Sequence, residues 1–261
     1  METLVADAHL GPKRRGDGNQ TASAPQIFLC GGRNFIVKMR GDHRADRTSV
    51  NEVVAWEVAR LLDLPTANAA IIDVQEDLIA ASPALAGGHP GLYFGSEEIT
   101  GAFDLTARQA SSGGAPPVRN IDKAGSAVAF DSFVWNADRN NPGNILLAPC
   151  PGEPGTFEFV LIDHGHCLTG PTWRAEQLAS LAGGQYRCPA HPFLRDAARS
   201  FPGGLDRTCA AIEHDVDAAV LGQVVAAIPH AWGLENAAPE AIAKFLAGRK
   251  KRVRSDGKAL L

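Results

Sequence analysis

Two hydrophobic periods run through this chain, and their order limits what it can fold into. Along Asn34–Arg40, NFIVKMR, the side chains alternate: Phe35, Val37 and Met39 on one face, Ile36 and Lys38 on the other. That is the period of a half-buried strand. Between Val50 and Leu62 the period changes to a helical stripe of Val50, Val53, Val54, Val58, Leu61 and Leu62. Ser49 or Asn51 suits its start, and Pro65 prevents its continuation. Pro25–Leu29 and Ala69–Val74 read as further strands, with Gly31-Gly32 punctuating a hairpin. Ala124–Trp135 reads as an apolar helix. Ile145–Ala148 and Phe157–Ile162 read as strands joined by the turn-rich PCPGEPG. From about Arg174 to Lys258 the pattern is helical, most clearly over Val216–Ile228. A mainly β first part with one helix, a connection rich in Gly, Pro and Ser over residues 81–120, a β-hairpin and a helical remainder make this an α+β chain.

Length and composition narrow the class. With 261 residues, 45 % hydrophobic and 21 % charged, the chain has material for one large domain or two lobes around a cleft. A net charge of −4 argues against general nucleic-acid binding. No apolar run reaches 18 residues, and METLVADAHLGPKRRGDGNQ lacks the apolar centre of a signal peptide. Five dispersed cysteines, none in a CxxC pair, suit a reducing cytoplasm better than a disulfide framework or zinc site.

Three sites carry candidate chemistry. Lys38 stands in a strand, where a buried charge is costly unless paired. Its bland role is an edge lysine in water; its functional role is to reach nucleotide phosphates, held by a helix carboxylate. Gly31-Gly32 upstream would let backbone approach phosphate, although the pair is neither GxGxxG nor a Walker A loop. The carboxylate is Glu52 or Glu57; the helical wheel puts Glu57 on the apolar stripe and leaves the choice open. WNADRNNPGNILL supplies the second site. It serves as a polar turn before a strand, or as a loop in which Asp138 meets an acceptor hydroxyl and an amide oxygen holds a metal. In FVLIDHG a strand delivers Asp163 to its end, a single carboxylate adequate for magnesium beside phosphate. A rival reading groups Asp163, His164 and His166 in a metal-dependent phosphohydrolase.

In this order the segments FIVKMRG, NEVVAWEVARLLDLP, GLYFGSE, WNADRNNPGNILL and VLIDHG resemble the HipA-like kinases, over about residues 26–254. The resemblance is to the short stand-alone HipA-like kinase domain, similar in layout to phosphatidylinositol kinases. It implies a two-lobed protein-kinase-like fold, with a flexible arm over 1–24, a small β-rich lobe over 25–95 and a helical lobe over 96–255. It also implies an ATP- and Mg²⁺-dependent phosphotransferase acting on a hydroxyl acceptor: protein Ser/Thr first, a lipid head group or small molecule otherwise. Lys38 matches the phosphate-binding lysine, Glu52 its partner, Asp138 the catalytic aspartate, and Asn144 and Asp163 the metal ligands. Arg139 is expected to neutralise charge on the transferring group, and GLYFGSE to lie near the hinge that holds adenine. The chain departs from the family in one interval: Asp138 and Asn144 are six apart where five is usual, which makes Asn141 a rival ligand and a non-catalytic nucleotide-binding scaffold the alternative function. The basic stretch Arg249, Lys250, Lys251, Arg252 and Arg254 reads as a solvated helix end, or else as a dock for an acidic substrate.

Overall fold

A computed structural model describes residues 1–13, 25–39, 47–105 and 116–261. Nine strands fall in two sheets. The first holds β1 (Thr3–Val5), β2 (Ala8–Pro12), β3 (Gln26–Cys30), β4 (Arg33–Val37), β5 (Ala69–Val74) and β6 (Gly91–Glu97), in the order β1-β5-β6-β4-β3-β2. The second is β7 (Phe103–Asp104), β8 (Ile145–Pro149) and β9 (Phe157–Leu161), in that order. The helices are α1 (Arg47–Leu61), α2 (Glu76–Ala81), α3 (Ala124–Phe133), α4 (Ala175–Leu181), α5 (Pro192–Ser200), α6 (Gly204–Asp215), α7 (Ala218–Ala226), α8 (Ala238–Lys250) and α9 (Val253–Leu260).

The first sheet curls almost shut. Its two outer strands, β1 and β2, are separated in sequence only by Ala6 and Asp7. Ala6 donates its N–H to Asp73 on one side and Asp7 to Leu29 on the other, at 3.0 and 2.8 Å. One stretch of chain thus supplies both edge strands and draws the two rims of the sheet together. The inward faces bury Phe28, Cys30, Phe35, Val37, Ile72 and Tyr93. Fully burying a large apolar side chain of this kind contributes roughly 1.5–3 kcal/mol. The expectation of a loose arm is therefore corrected for residues 3–12; residues 14–24 lie outside the described residues. The reading of residues 81–120 as a connection is corrected too: Gly91–Glu97 is a central strand, paired with β4 and β5. Residues 106–115 of that stretch, and Arg40 and Gly41 after the Lys38 strand, lie outside the described residues.

The second sheet and helices α3–α9 make the larger lobe. Helix α1 joins the two lobes, because Val50, Val53, Val54 and Val58 pack into the same core as Phe130, Phe159 and Leu161. Pro65, just beyond α1, accepts from the Leu161 N–H at 2.7 Å, and Thr66 bridges to Leu161. The chain crosses between lobes over residues 98–102, directly after β6.

Of the basic stretch only Lys251 is a solvated helix end; the other charges have partners within the lobe. Arg249 is fully buried; it donates to Ser132 O at 2.9 Å, to Gly184 O and to Asp256 at 2.5 Å, and stacks on Trp135. Arg252 also reaches Asp256, at 3.1 Å, and Arg254 reaches Glu213 and Asp206, both at 2.7 Å. These charges tie the last two helices to the lobe.

Candidate active site

Lys38 follows β4 directly, at the sheet end where Val37 pairs with Gln26. Its ammonium lies 3.4 Å from Glu52 Oε1 and donates a short hydrogen bond to Asp163 Oδ1. Desolvation pulls the Lys38 pKa down, and the charges of Glu52 and Asp163 more than reverse it, leaving it above its ordinary value. Glu52 is buried, which favours its neutral form. The Lys38 charge and bonds from His164 prevail and bring it down to about 2. Glu57 belongs elsewhere, beside the Met1 amine at 3.4 Å and Arg60 at 3.2 Å. Of the two candidate carboxylates, Glu52 is the one that meets Lys38.

Gly31 and Gly32 take φ of +55° and +76°, the two-residue turn that joins β3 to β4. That turn is at the far end of β4 from Lys38, about 20 Å away at strand rise. Asp7 Oδ2 accepts from the Gly31 N–H at 2.7 Å. The expected glycine cradle at the lysine is therefore corrected: this pair shapes a hairpin and cannot share a ligand group with Lys38.

Asp163 emerges two residues after β9 with a left-handed φ of +55°, which re-aims the chain as it leaves the sheet. The loop beyond it is clamped by α1. The His164 N–H donates to Glu52 Oε2 at 2.9 Å. Asn51, fully buried, donates through Nδ2 to the carbonyls of Gly165, Cys167 and Gly170 at 2.7, 2.8 and 3.0 Å, and accepts from Trp173 Nε1. Position 165 has to be glycine, since a Cβ there would stand 2.4 Å from Thr48 Cγ2. His164 is buried edge-on against Phe130, whereas His166 is exposed. The two imidazoles do not converge with Asp163, and among the described residues no three His, Cys, Asp or Glu side chains group to hold a metal by themselves.

Asp138 stands half-buried in the loop between α3 and β8. Its Oδ2 accepts from Asn144 Nδ2 at 2.9 Å and Asn141 Nδ2 at 3.3 Å, and its carbonyl accepts from Asn144 Nδ2 at 3.1 Å. Asn141 spends its side-chain oxygen on the Gly143 N–H at 3.0 Å, capping the short turn Pro142–Asn144. Asn144 Oδ1 accepts nothing from the described residues.

Arg139 does not face the cleft, which corrects its expected role on the transferring group. Its side chain is fully buried, with Nε on both oxygens of Asp131 and Nη1 on the carbonyls of Asn144 and Ile162. Asp131 and Asn136, which the sequence did not single out, hold the site together with Asn51, which was expected only as a cap and lies inside α1, a helix that begins at Arg47. The one available signal was a lone Asp in the apolar helix AGSAVAFDSF, where a buried carboxylate requires partners.

A small cavity between the lobes is lined by Glu52, Trp56, Phe94, Asp163 and His164. A larger hollow of about 340 Å³, along Trp56, Arg60, Asp63 and Asn68, holds none of the candidate residues.

A curled β-lobe, a joining helix whose glutamate meets a strand-end lysine, and a helical lobe with an Asp–Asn loop define a kinase-like protein of two lobes. The HipA-like kinase family profile matches residues 18–252, so the chain belongs to the HipA-like kinase family and is a phosphotransferase. Among solved structures it is similar to the Helicobacter pylori proinflammatory kinase CtkA, with 12 % identity, a TM-score of 0.60, and 99 % of this chain and 98 % of that one covered. That likeness is one of fold. A chain of the Shewanella oneidensis toxin–antitoxin complex of HipA, HipB and operator DNA aligns with 14 % identity and a TM-score of 0.38, covering 99 % of this chain and 66 % of that one. A comparison with curated protein sequences finds no match. No helix among the described residues is long and apolar enough to cross a membrane.

Proposed function

We propose that this chain transfers the γ-phosphoryl group of ATP, bound with Mg²⁺, to a hydroxyl acceptor, with protein serine or threonine the first acceptor to test. One observation carries the reading: Lys38 and Asp163, from different lobes, meet at Glu52 of the joining helix, and the Asp138–Asn144 loop is bonded to the segment that delivers Asp163.

The donor set suits magnesium. The half-exposed Asp163 carboxylate and the Asn144 oxygen, to which no described residue donates, offer one carboxylate and one amide, which magnesium takes together with phosphate oxygens and water. Bound there, it would neutralise charge on the β- and γ-phosphates. Lys38 orients the α- and β-phosphates, with Glu52 fixing its direction. Asp138 positions the acceptor hydroxyl and takes its proton. The Asn144 amide on Asp138 Oδ2 holds that carboxylate in one rotamer. Catalysis then rests on positioning and on charge placed in advance. The Lys38–Asp163 bond would have to yield for the Asp163 carboxylate to hold a metal ion.

ADP release from ATP tests this. Mg²⁺-dependent release by the wild-type protein, abolished in Asp163→Asn, is expected. Nucleotide binding with no release at any metal concentration would make the chain a nucleotide-binding scaffold instead.

A further inference from the structure

The Asp131 carboxylate, on α3, is 3 % exposed and has apolar Phe130 and Phe133 as near neighbours in the helix. Such a charge is tolerated only when paired and hydrogen-bonded. Its side-chain bonds go to two residues, and both lead into the proposed site. Arg139 Nε donates to Oδ1 and Oδ2, at 3.2 and 3.0 Å. Arg139 Nη1 then donates to the Asn144 carbonyl at 2.5 Å and the Ile162 carbonyl at 3.0 Å. Those carbonyls belong to one proposed metal ligand and to the residue before the other. The second arm runs through Asn136, whose Nδ2 donates to Asp131 Oδ1 at 2.9 Å and whose Oδ1 accepts from the Asp138 N–H at 3.0 Å.

We propose that Asp131 is a positioning residue: through Arg139 it sets the spacing of Asn144 and Asp163, and through Asn136 it sets the place of Asp138 relative to them. The inference rests on the phosphotransfer reading above and adds the group that holds its parts in register. Simple stabilisation is a poor explanation of the pair, since well-packed apolar residues replace buried ion pairs at little or no cost in stability. A guanidinium forked between a carboxylate and two carbonyls supplies fixed directions that apolar packing lacks. The six-residue interval between Asp138 and Asn144 adds to the need, because a longer loop has more conformations to exclude. Misplacement of a reacting group by about 1 Å costs on the order of 100-fold in rate, and loss of a partner behind a metal ligand costs roughly 10–100-fold in metal affinity.

The two arms make different predictions. Asp131→Asn keeps the side-chain shape and weakens both. It is expected to raise the Mn²⁺ concentration for half-saturation about 10–100-fold, measured by electron paramagnetic resonance with a non-hydrolysable ATP analogue. kcat per folded molecule is expected to fall by a similar factor, with metal-free nucleotide affinity within about threefold of wild type. Arg139→Lys keeps the charge without the fork and is expected to show the same metal defect. Asn136→Ser cuts only the arm to Asp138, and is expected to lower kcat while leaving Mn²⁺ binding intact; it serves equally if Asp131→Asn does not fold. If these variants lose thermal stability alone, with metal half-saturation and kcat per folded molecule unchanged, the positioning role is overturned and the phosphotransfer reading stands. If the wild-type protein binds no metal–nucleotide complex, both fall together.

Discussion

Two arginine–aspartate pairs are buried against the same helix, α3, and they differ in what they hold. Arg139 and Asp131 connect the start of β8, the end of β9 and the Asp138 loop. Arg249 and Asp256 connect α8 and α9 to Ser132, Gly184 and the backbone of Tyr186. Burial is the same, with both guanidinium side chains fully enclosed. Burial pulls the Arg249 pKa below its ordinary value even with Asp256 opposing. On the proposed positioning role, the first pair serves the chemistry, while the second ties the scaffold together. The charge type does not distinguish them; the groups at the far end of each fork do.

Removing each arginine in turn is the strongest way to break this contrast. Breaking a buried pair from one side costs about 3–5 kcal/mol, so Arg139→Met and Arg249→Met are expected to lose comparable stability in denaturant melts. Their turnover is expected to diverge: a fall of roughly 100-fold per folded molecule for Arg139→Met, and less than about threefold for Arg249→Met. Equal turnover in the two folded variants would erase the distinction.

A smaller effect concerns the joint between the lobes. The Glu52 pKa in the folded protein, about 2, lies below its ordinary 4.5, so the unfolded chain binds the proton more readily. Its stabilising contribution is complete above about pH 4.5 and is lost as pH falls toward 2. Lys38 has the opposite sign: raised above 10.5, it contributes below that pH and loses its contribution as pH climbs past it. Melting temperature is expected to fall more steeply between pH 4.5 and 2 in wild type than in Glu52→Gln. Parallel profiles would mean that Glu52 carries no such load.

The order of the candidate residues was legible in the sequence, because each sits in a local pattern: an alternating strand carrying Lys38, which the structure ends one residue earlier at Val37, an Asp–Asn turn before ILL, and an apolar run leading to Asp163. Strand and helix positions followed for the same reason; Ala69–Val74 and the start of the helix at Ala124 are where periodicity puts them. What stayed hidden depends on distant partners. The wheel was no guide to Glu52 against Glu57, because α1 is buried on nearly every side. Gly31-Gly32 is close to Lys38 in sequence, but an extended strand carries the two apart. Arg139 adjoins Asp138, yet adjacent residues in a loop point in different directions, and only Asp131 shows which way this one turns. The strands at 3–5 and 8–12 carry little β signal, being held by closure of the sheet rather than by propensity.

In the proposed reaction Asp138 acts on the acceptor while Lys38, Asn144 and Asp163 hold the nucleotide. Transfer of label from γ-labelled ATP into proteins of a lysate, with wild type and Asp138→Asn side by side and ATP affinity measured for each, tests it most directly. Labelled serine or threonine is expected with wild type, with a loss of about 10²–10⁴-fold in the variant and nearly unchanged ATP affinity. Label transfer by Asp138→Asn at the wild-type rate would contradict it.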